Sequence, residues 1–187
     1  MFTMRKPYDF TQTPADVLSR AANIQCLVLD VDGVMTDGGL MYSDDGQELK
    51  RFHARDGFGL RLWRESGFQL AMVTARKSSV VEHRASELGV TELHQAVSDK
   101  LATLSSISKR LSMGLDQMAF MGDDMVDYRA MRSCGLGLTV ADAHPEVVKA
   151  ADWQSTLAGG NGAIREACEL LLFSKQMLQS ALQRYSD

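Results

Sequence analysis

The apolar run Ile24 to Val31 ends in Asp30-Val31-Asp32-Gly33-Val34-Met35-Thr36-Asp37-Gly38, so a buried strand gives way to a glycine-containing loop that carries two carboxylates. The same punctuation recurs down the chain. Phe68 to Val73 precedes Thr74, a short strand around Leu93 to Val97 precedes Asp99-Lys100, and Met118 to Met121 precedes Gly122-Asp123-Asp124-Met125-Val126-Asp127. Strands alternating with helices at this spacing predict right-handed βαβ units. The expected class is α/β: a Rossmann-like, mainly parallel sheet with helices on both faces. Ligands of such sheets bind outside the carboxyl ends of the strands. Asp30, Thr74, Lys100 and Asp123 are therefore expected to converge at one edge.

Thr13-Pro14-Ala15-Asp16 predicts a helix start, with a capping hydroxyl, proline at the first position and an early acid. Further helices are expected from Gly57 to the stop at Gly67, over Ser78 to Leu88, from Lys100 to about Leu111 under an Asp99 cap, over Met125 to Arg132 and over Pro145 to Ala150. Leu136 to Val140 reads as a strand, and a last helix runs from about Ala163 to Arg184. Gly39 to Ser43 and Gln47 to His53 flank Asp44-Asp45-Gly46, which predicts a hairpin over 39–53. A lone hairpin is marginal and needs a packing surface. Leu40, Tyr42, Leu49 and Phe52 can pack between subunits, or the hairpin can widen its own sheet.

At 187 residues the chain fits one domain, 1–187, with the hairpin 39–53 and a C-terminal tail 159–187 as its appendages. No segment is long enough for a separate cap. A net charge of −4, without a basic stripe, gives nucleic acid no electrostatic footing. No apolar stretch approaches the roughly 20 residues of a membrane span, and Met1 to Phe10 has no signal-peptide core. Cys26, Cys134 and Cys168 have no paired spacing and read as reduced thiols of a cytoplasmic protein.

Two carboxylates two positions apart, a hydroxyl, a lysine and an acidic cluster suit phosphoryl transfer. A phosphate monoester repels nucleophiles, so its hydrolysis needs charge neutralisation, alignment and a proton for the leaving oxygen. Asp30 is the expected nucleophile, giving an aspartyl-phosphate, and Asp32 the acid and base. Asp30, Asp123 and the backbone carbonyl of Asp32 offer hard oxygen ligands that suit Mg²⁺. Thr74 and Lys100 would hold the phosphoryl oxygens, with Asp124 and Asp127 orienting waters or the lysine. A lysine at the positive end of its helix is mildly unfavourable without an anion beside it. An Asp-x-Asp-Gly at a strand end can also be a plain turn, and Asp127 an exposed helix acid.

These residues resemble the four motifs of the haloacid-dehalogenase-like phosphatases. Arg55-Asp56-Gly57-x-Gly59, Val140-Ala141-Asp142-Ala143-His144-Pro145 and Gly159-Gly160-Asn161-Gly162-Ala163-x-Arg165-Glu166 extend the likeness over nearly everything from residue 24 onward. They narrow it to the capless branch that acts on 3-deoxy-D-manno-octulosonate 8-phosphate. The resemblance implies Mg²⁺, an aspartyl-phosphate route, release of the free sugar acid for lipopolysaccharide synthesis, and a homotetramer whose hairpins form a barrel while C-terminal tails help close the sites. One departure is Thr74-Ala75-Arg76, where the family usually has Thr-Gly-Arg; alanine there is strained only at positive φ. A sugar acid phosphate also carries a carboxylate, for which Arg55, Arg76 and Arg165 are candidates, Arg165 from the tail of a neighbour.

Two other readings stay open. The motifs around Asp30 handle only the phosphoryl group, so a nine-carbon substrate such as KDN or sialate 9-phosphate fits them equally. A phosphoacceptor signalling domain shares the Asp, Thr and Lys, but its acidic pair precedes the phosphorylated aspartate and it lacks the acid at Asp32.

Overall fold

The computed structural model describes residues 8–186; the signal-peptide reading of Met1 to Phe10 lies mostly outside them. Six strands form one sheet in which every pairing is parallel: β1 Cys26–Leu29, β4 Gln69–Val73, β5 Glu92–His94, β6 Met118–Gly122, β7 Leu136–Thr139 and β8 Trp153–Gln154. Their order is β5-β4-β1-β6-β7-β8, with β1 paired to β4 on one side and β6 on the other. From β1 the chain fills the sheet outward to β5, then crosses back and fills the other side. The reversal falls between β1 and β6, the position at which a crevice opens in sheets of this kind.

Alternation along the central strands separates two cores. Leu27 and Leu29 of β1, Leu70 and Met72 of β4, and Ala119 and Met121 of β6 face one side. They meet α1 Ala15–Asn23, α2 Ala54–Glu65, α3 Ser79–Leu88 and α7 Ala163–Ser174 through Val17, Leu60, Trp63, Val81 and Leu171. Cys26, Val28, Ala71, Val73, Met118 and Phe120 face the other side. There they meet α4 Lys100–Leu111, α5 Tyr128–Ser133 and α6 Pro145–Ala150 through Leu104, Ile107, Met131 and Val147. Strands buried on both faces read as continuous apolar runs, as these do. No cap domain stands apart from this sandwich among the described residues, and none of their helices is long and apolar enough to cross a membrane.

Several elements differ from the sequence reading. Pro14, not Thr13, is the residue before α1, and it makes no side-chain cap bond. Helix α2 begins at Ala54, ahead of Gly57, because the His53 imidazole accepts the Arg55 N–H at 3.3 Å. Helix α5 begins at Tyr128, after a turn in which the Asp127 N–H reaches the Asp124 carbonyl. The last helix is two: α7 stops at Ser174, Gln176 takes a left-handed φ of 58°, and α8 runs over Leu178–Gln183. That turn folds Ala181 back onto the core. All three cysteines are free.

The hairpin is present, with strands β2 Met41–Tyr42 and β3 Glu48–Leu49 joined through Gly46 at a φ of 80°. It forms its own two-stranded sheet and does not widen the main one. Met41 lies opposite Leu49, and Tyr42 opposite Glu48. Directly opposed residues share a face, so Met41 and Leu49 make an apolar outer pair, each more than half exposed. Phe52, one of the four hairpin residues that can pack between subunits, is partly buried against its own core beneath the Arg84 guanidinium.

Candidate active site

Four strand ends supply the site. Asp30 follows β1, Thr74 follows β4, Asp123 follows β6, and Lys100 opens α4 a few residues beyond β5. Asp99 caps α4 as its sequence predicts, accepting the Ala102 N–H at 3.0 Å. Asp30, Asp32, Thr74, Ala75, Arg76, Lys100, Asp123, Asp124 and Val126 line one cleft of about 170 Å³. Its size suits a phosphoryl group, with the remainder of a substrate reaching outward.

Lys100 is the buried hub of this cleft. Its ammonium lies 2.7 Å from Asp30 Oδ1 and 2.5 Å from Asp127 Oδ1. Burial opposes its charge, but Asp30 and Asp127 outweigh that and hold its pKa above the ordinary value. Asp127 is fully buried, and its second oxygen accepts the N–H groups of Asp123 at 3.2 Å and Asp124 at 3.4 Å. Both of its oxygens are thus occupied in holding the acidic loop and the lysine. Gly122 is required here, since a Cβ would run into Asp127.

Carboxylate oxygens of Asp30, Asp123 and Asp127 lie within 4.8 Å of one another. Burial first, then the Asp127 charge, pushes Asp30 up to about 7 despite Lys100. Burial, then Asp30, likewise raises Asp123 to about 7. One lysine does not balance these acids. A hard divalent cation on Asp30 and Asp123 fits both the oxygen donors and the uncompensated charge.

Thr74 is buried, and its hydroxyl oxygen accepts the Arg76 N–H at 3.2 Å, leaving its own proton to donate. Ala75 is absent from the positive-φ residues, so the alanine is unstrained. Arg76 lines the cleft, whereas Arg55 is solvent-exposed and outside it. Arg165 pairs with Glu169 at 2.5 Å and lies over the Phe58 ring.

The longer sequence signatures meet behind the site. Asp56 of α2 accepts the N–H groups of Gly162 at 3.1 Å and Arg165 at 2.8 Å, capping α7 from another helix. Gly59 gives Arg165 room to approach. Asp142 accepts the Gly159 N–H at 2.9 Å, and the Gly160 N–H reaches the Val34 carbonyl at 2.9 Å. Gly159 and Gly160 thereby lie against the backbone of Gly33 and Thr36, where a Cβ would collide. The tail braces the loop that carries Asp32.

Two charged residues were not singled out from sequence: Glu48 and Lys50 of the hairpin. Lys50 pairs with Asp32 Oδ1 and lies 3.3 Å from Glu48 Oε1, with its side chain 1% exposed. Arg76 reaches the same Glu48 oxygen at 3.1 Å, and its Nε lies 3.7 Å from Asp32 Oδ2. Their signal was available in the Glu48-Leu49-Lys50 alternation, which puts both charges on the face opposite Leu49.

This fold and site define a haloacid dehalogenase-like hydrolase, and that family's pattern matches residues 75–166. A 3-deoxy-D-manno-octulosonate 8-phosphate phosphatase of Escherichia coli K12 is 43% identical over 167 residues, covering 89% of each chain. The crystal structure of such a phosphatase from Moraxella catarrhalis, in complex with magnesium, phosphate and KDO, superposes with a TM-score of 0.89 at 36% identity, over 91% of this chain and 98% of that one. The enzyme of that name from Yersinia pestis gives 0.88 at 40% identity, over 94% and 96%. The chain belongs to the 3-deoxy-D-manno-octulosonate 8-phosphate phosphatase family.

Proposed function

We propose that this chain hydrolyses 3-deoxy-D-manno-octulosonate 8-phosphate to the free sugar acid and phosphate, through an aspartyl-phosphate and with Mg²⁺. The observation that carries the reading is the buried Asp30 carboxylate, held by Lys100 at 2.7 Å in a phosphoryl-sized cleft. An Asp30 oxygen attacks phosphorus as the bond to the sugar oxygen breaks, and Asp32 gives that oxygen its proton. Water then attacks the phosphoryl group, returning a proton to Asp32, and phosphate leaves. Lys100 and the Thr74 hydroxyl neutralise and orient the phosphoryl oxygens. Asp30, Asp123 and the Asp32 carbonyl would hold Mg²⁺, which supplies further charge neutralisation. Asp127 fixes Lys100, and Asp124 stands where it can orient waters.

Arg76 is the best placed of the three arginines to meet the sugar's carboxylate, because it lines the cleft. Arg55 and Arg165 would act only across a subunit boundary. The exposed Met41–Leu49 pair supports packing of hairpins between copies, in a homotetramer of one-domain chains. The free cysteines fit a reducing, cytoplasmic compartment.

Phosphate release from a panel of sugar acid phosphates, with Mg²⁺ or with chelator, tests the reading. Release should be greatest on the eight-carbon 8-phosphate and stop on chelation. Preference for a nine-carbon 9-phosphate would reassign the substrate, and stable phosphorylation without release would favour a signalling domain.

A further inference from the structure

The hairpin joins its own chain's active site through four side chains that alternate in charge. Asp32, Lys50, Glu48 and Arg76 form a closed ring: Lys50 bridges the two acids, and Arg76 faces both from the other side. Tyr42, opposite Glu48 on the same face, accepts a hydrogen bond from Arg76 at 2.5 Å. The Lys50 side chain is buried and does not line the cleft, so it touches Asp32 without being offered to substrate.

We propose that Lys50 is a positioning residue for the departure of the sugar oxygen: it fixes Asp32 from the hairpin, while Glu48 fixes Lys50 and Arg76. The proposal rests on the phosphatase reading above. Asp32 sits on a loop and is partly exposed, so without a directional partner its carboxyl group would sample several rotamers. Lys50 takes Oδ1, while Oδ2 faces the Arg76 Nε only at 3.7 Å, beyond hydrogen-bond distance, and so remains the oxygen that can reach the leaving group. A proton donor contributes only when held within hydrogen-bond reach of the oxygen it protonates. The ring also explains why two charged residues lie on the inner face of a hairpin whose outer face is apolar. Hairpin position and proton delivery become one structural unit.

The reaction itself supplies a readout that a purely structural lysine would not move. A sugar alkoxide needs a proton to leave, whereas para-nitrophenolate leaves readily without one. Lys50→Met should therefore lower kcat/KM on the sugar acid phosphate by ~30-fold or more, and on para-nitrophenyl phosphate by less than ~3-fold. Lys50→Arg should recover most of the sugar-phosphate rate. Both substrates are measured on one preparation, so partial unfolding cancels in the ratio, and Lys50→Gln replaces Lys50→Met if the latter does not fold. Equal losses on both substrates, or no loss on either, would overturn the proposal. Should wild type prefer another alkyl phosphate, the substrate reading fails, and the same ratio measured with that phosphate still decides the role of Lys50.

Discussion

The Lys100 ammonium lies 2.7 Å from the Asp30 carboxylate at the end of the central strand, and both side chains are buried. Removing one member of a buried charge set leaves the others uncompensated. Lys100→Met would leave Asp30 and Asp127 facing each other, so the metal-free protein should lose ~3 kcal/mol of stability. Denaturant unfolding with and without Mg²⁺ measures this, and added Mg²⁺ should restore part of the loss.

Asp30→Asn keeps the side chain's shape and removes the oxygen proposed to attack phosphorus. Turnover should fall by at least ~10³-fold, with the circular dichroism spectrum unchanged. Steady-state phosphate release checks it.

Asp30 and Asp123 titrate near 7, because burial and the neighbouring carboxylates disfavour their charged forms. Between the ordinary carboxylate range and about 7, the folded protein therefore holds more protons than the unfolded chain. Stability must then decline as pH rises through that window. Metal-free protein should melt several degrees lower at about pH 8 than at about pH 5.5, and Mg²⁺ should raise the melting temperature more at the higher pH. Scanning calorimetry across pH, repeated on Asp123→Asn to flatten the slope, measures both effects.

Asp56 holds the start of α7 from another helix, and the preceding glycines brace the loop of Asp32. Asp56→Ala should cost ~2 kcal/mol and lower kcat although the residue touches no substrate. Thermal melts and kinetics on the same sample report the two losses together.

Met41 and Leu49 form the outer apolar pair of the hairpin. Charging both, as Met41→Glu with Leu49→Glu, should dissociate the proposed tetramer in sedimentation velocity runs. If assembly instead survives, the hairpins do not form the contact.

Local signals were legible wherever one short segment decides the outcome. The Asp99 cap, Pro145 at a helix start and the Gly67 stop all lie where their chemistry places them. The strand ends that carry Asp30, Thr74 and Asp123 were readable because apolar runs stop there abruptly, and Lys100 was readable because the Asp99 cap marks the start of its helix. Edge strand β8 was not, since two half-exposed residues show no periodicity. The α7–α8 break escaped because apolar residues continue on both sides of Gln176, and only tertiary packing selects the turn. Lys50 with Asp32 and Asp56 with Arg165 join positions 18 and 109 residues apart, so no local pattern could pair them.

The central claim is that phosphorus passes through Asp30. Rapid acid quench during turnover of the sugar acid phosphate, followed by borohydride reduction, converts an acyl phosphate to homoserine that peptide mass spectrometry can locate. Homoserine at position 30 is the expected result. Homoserine at another aspartate, or its absence while phosphate is released, would contradict the account.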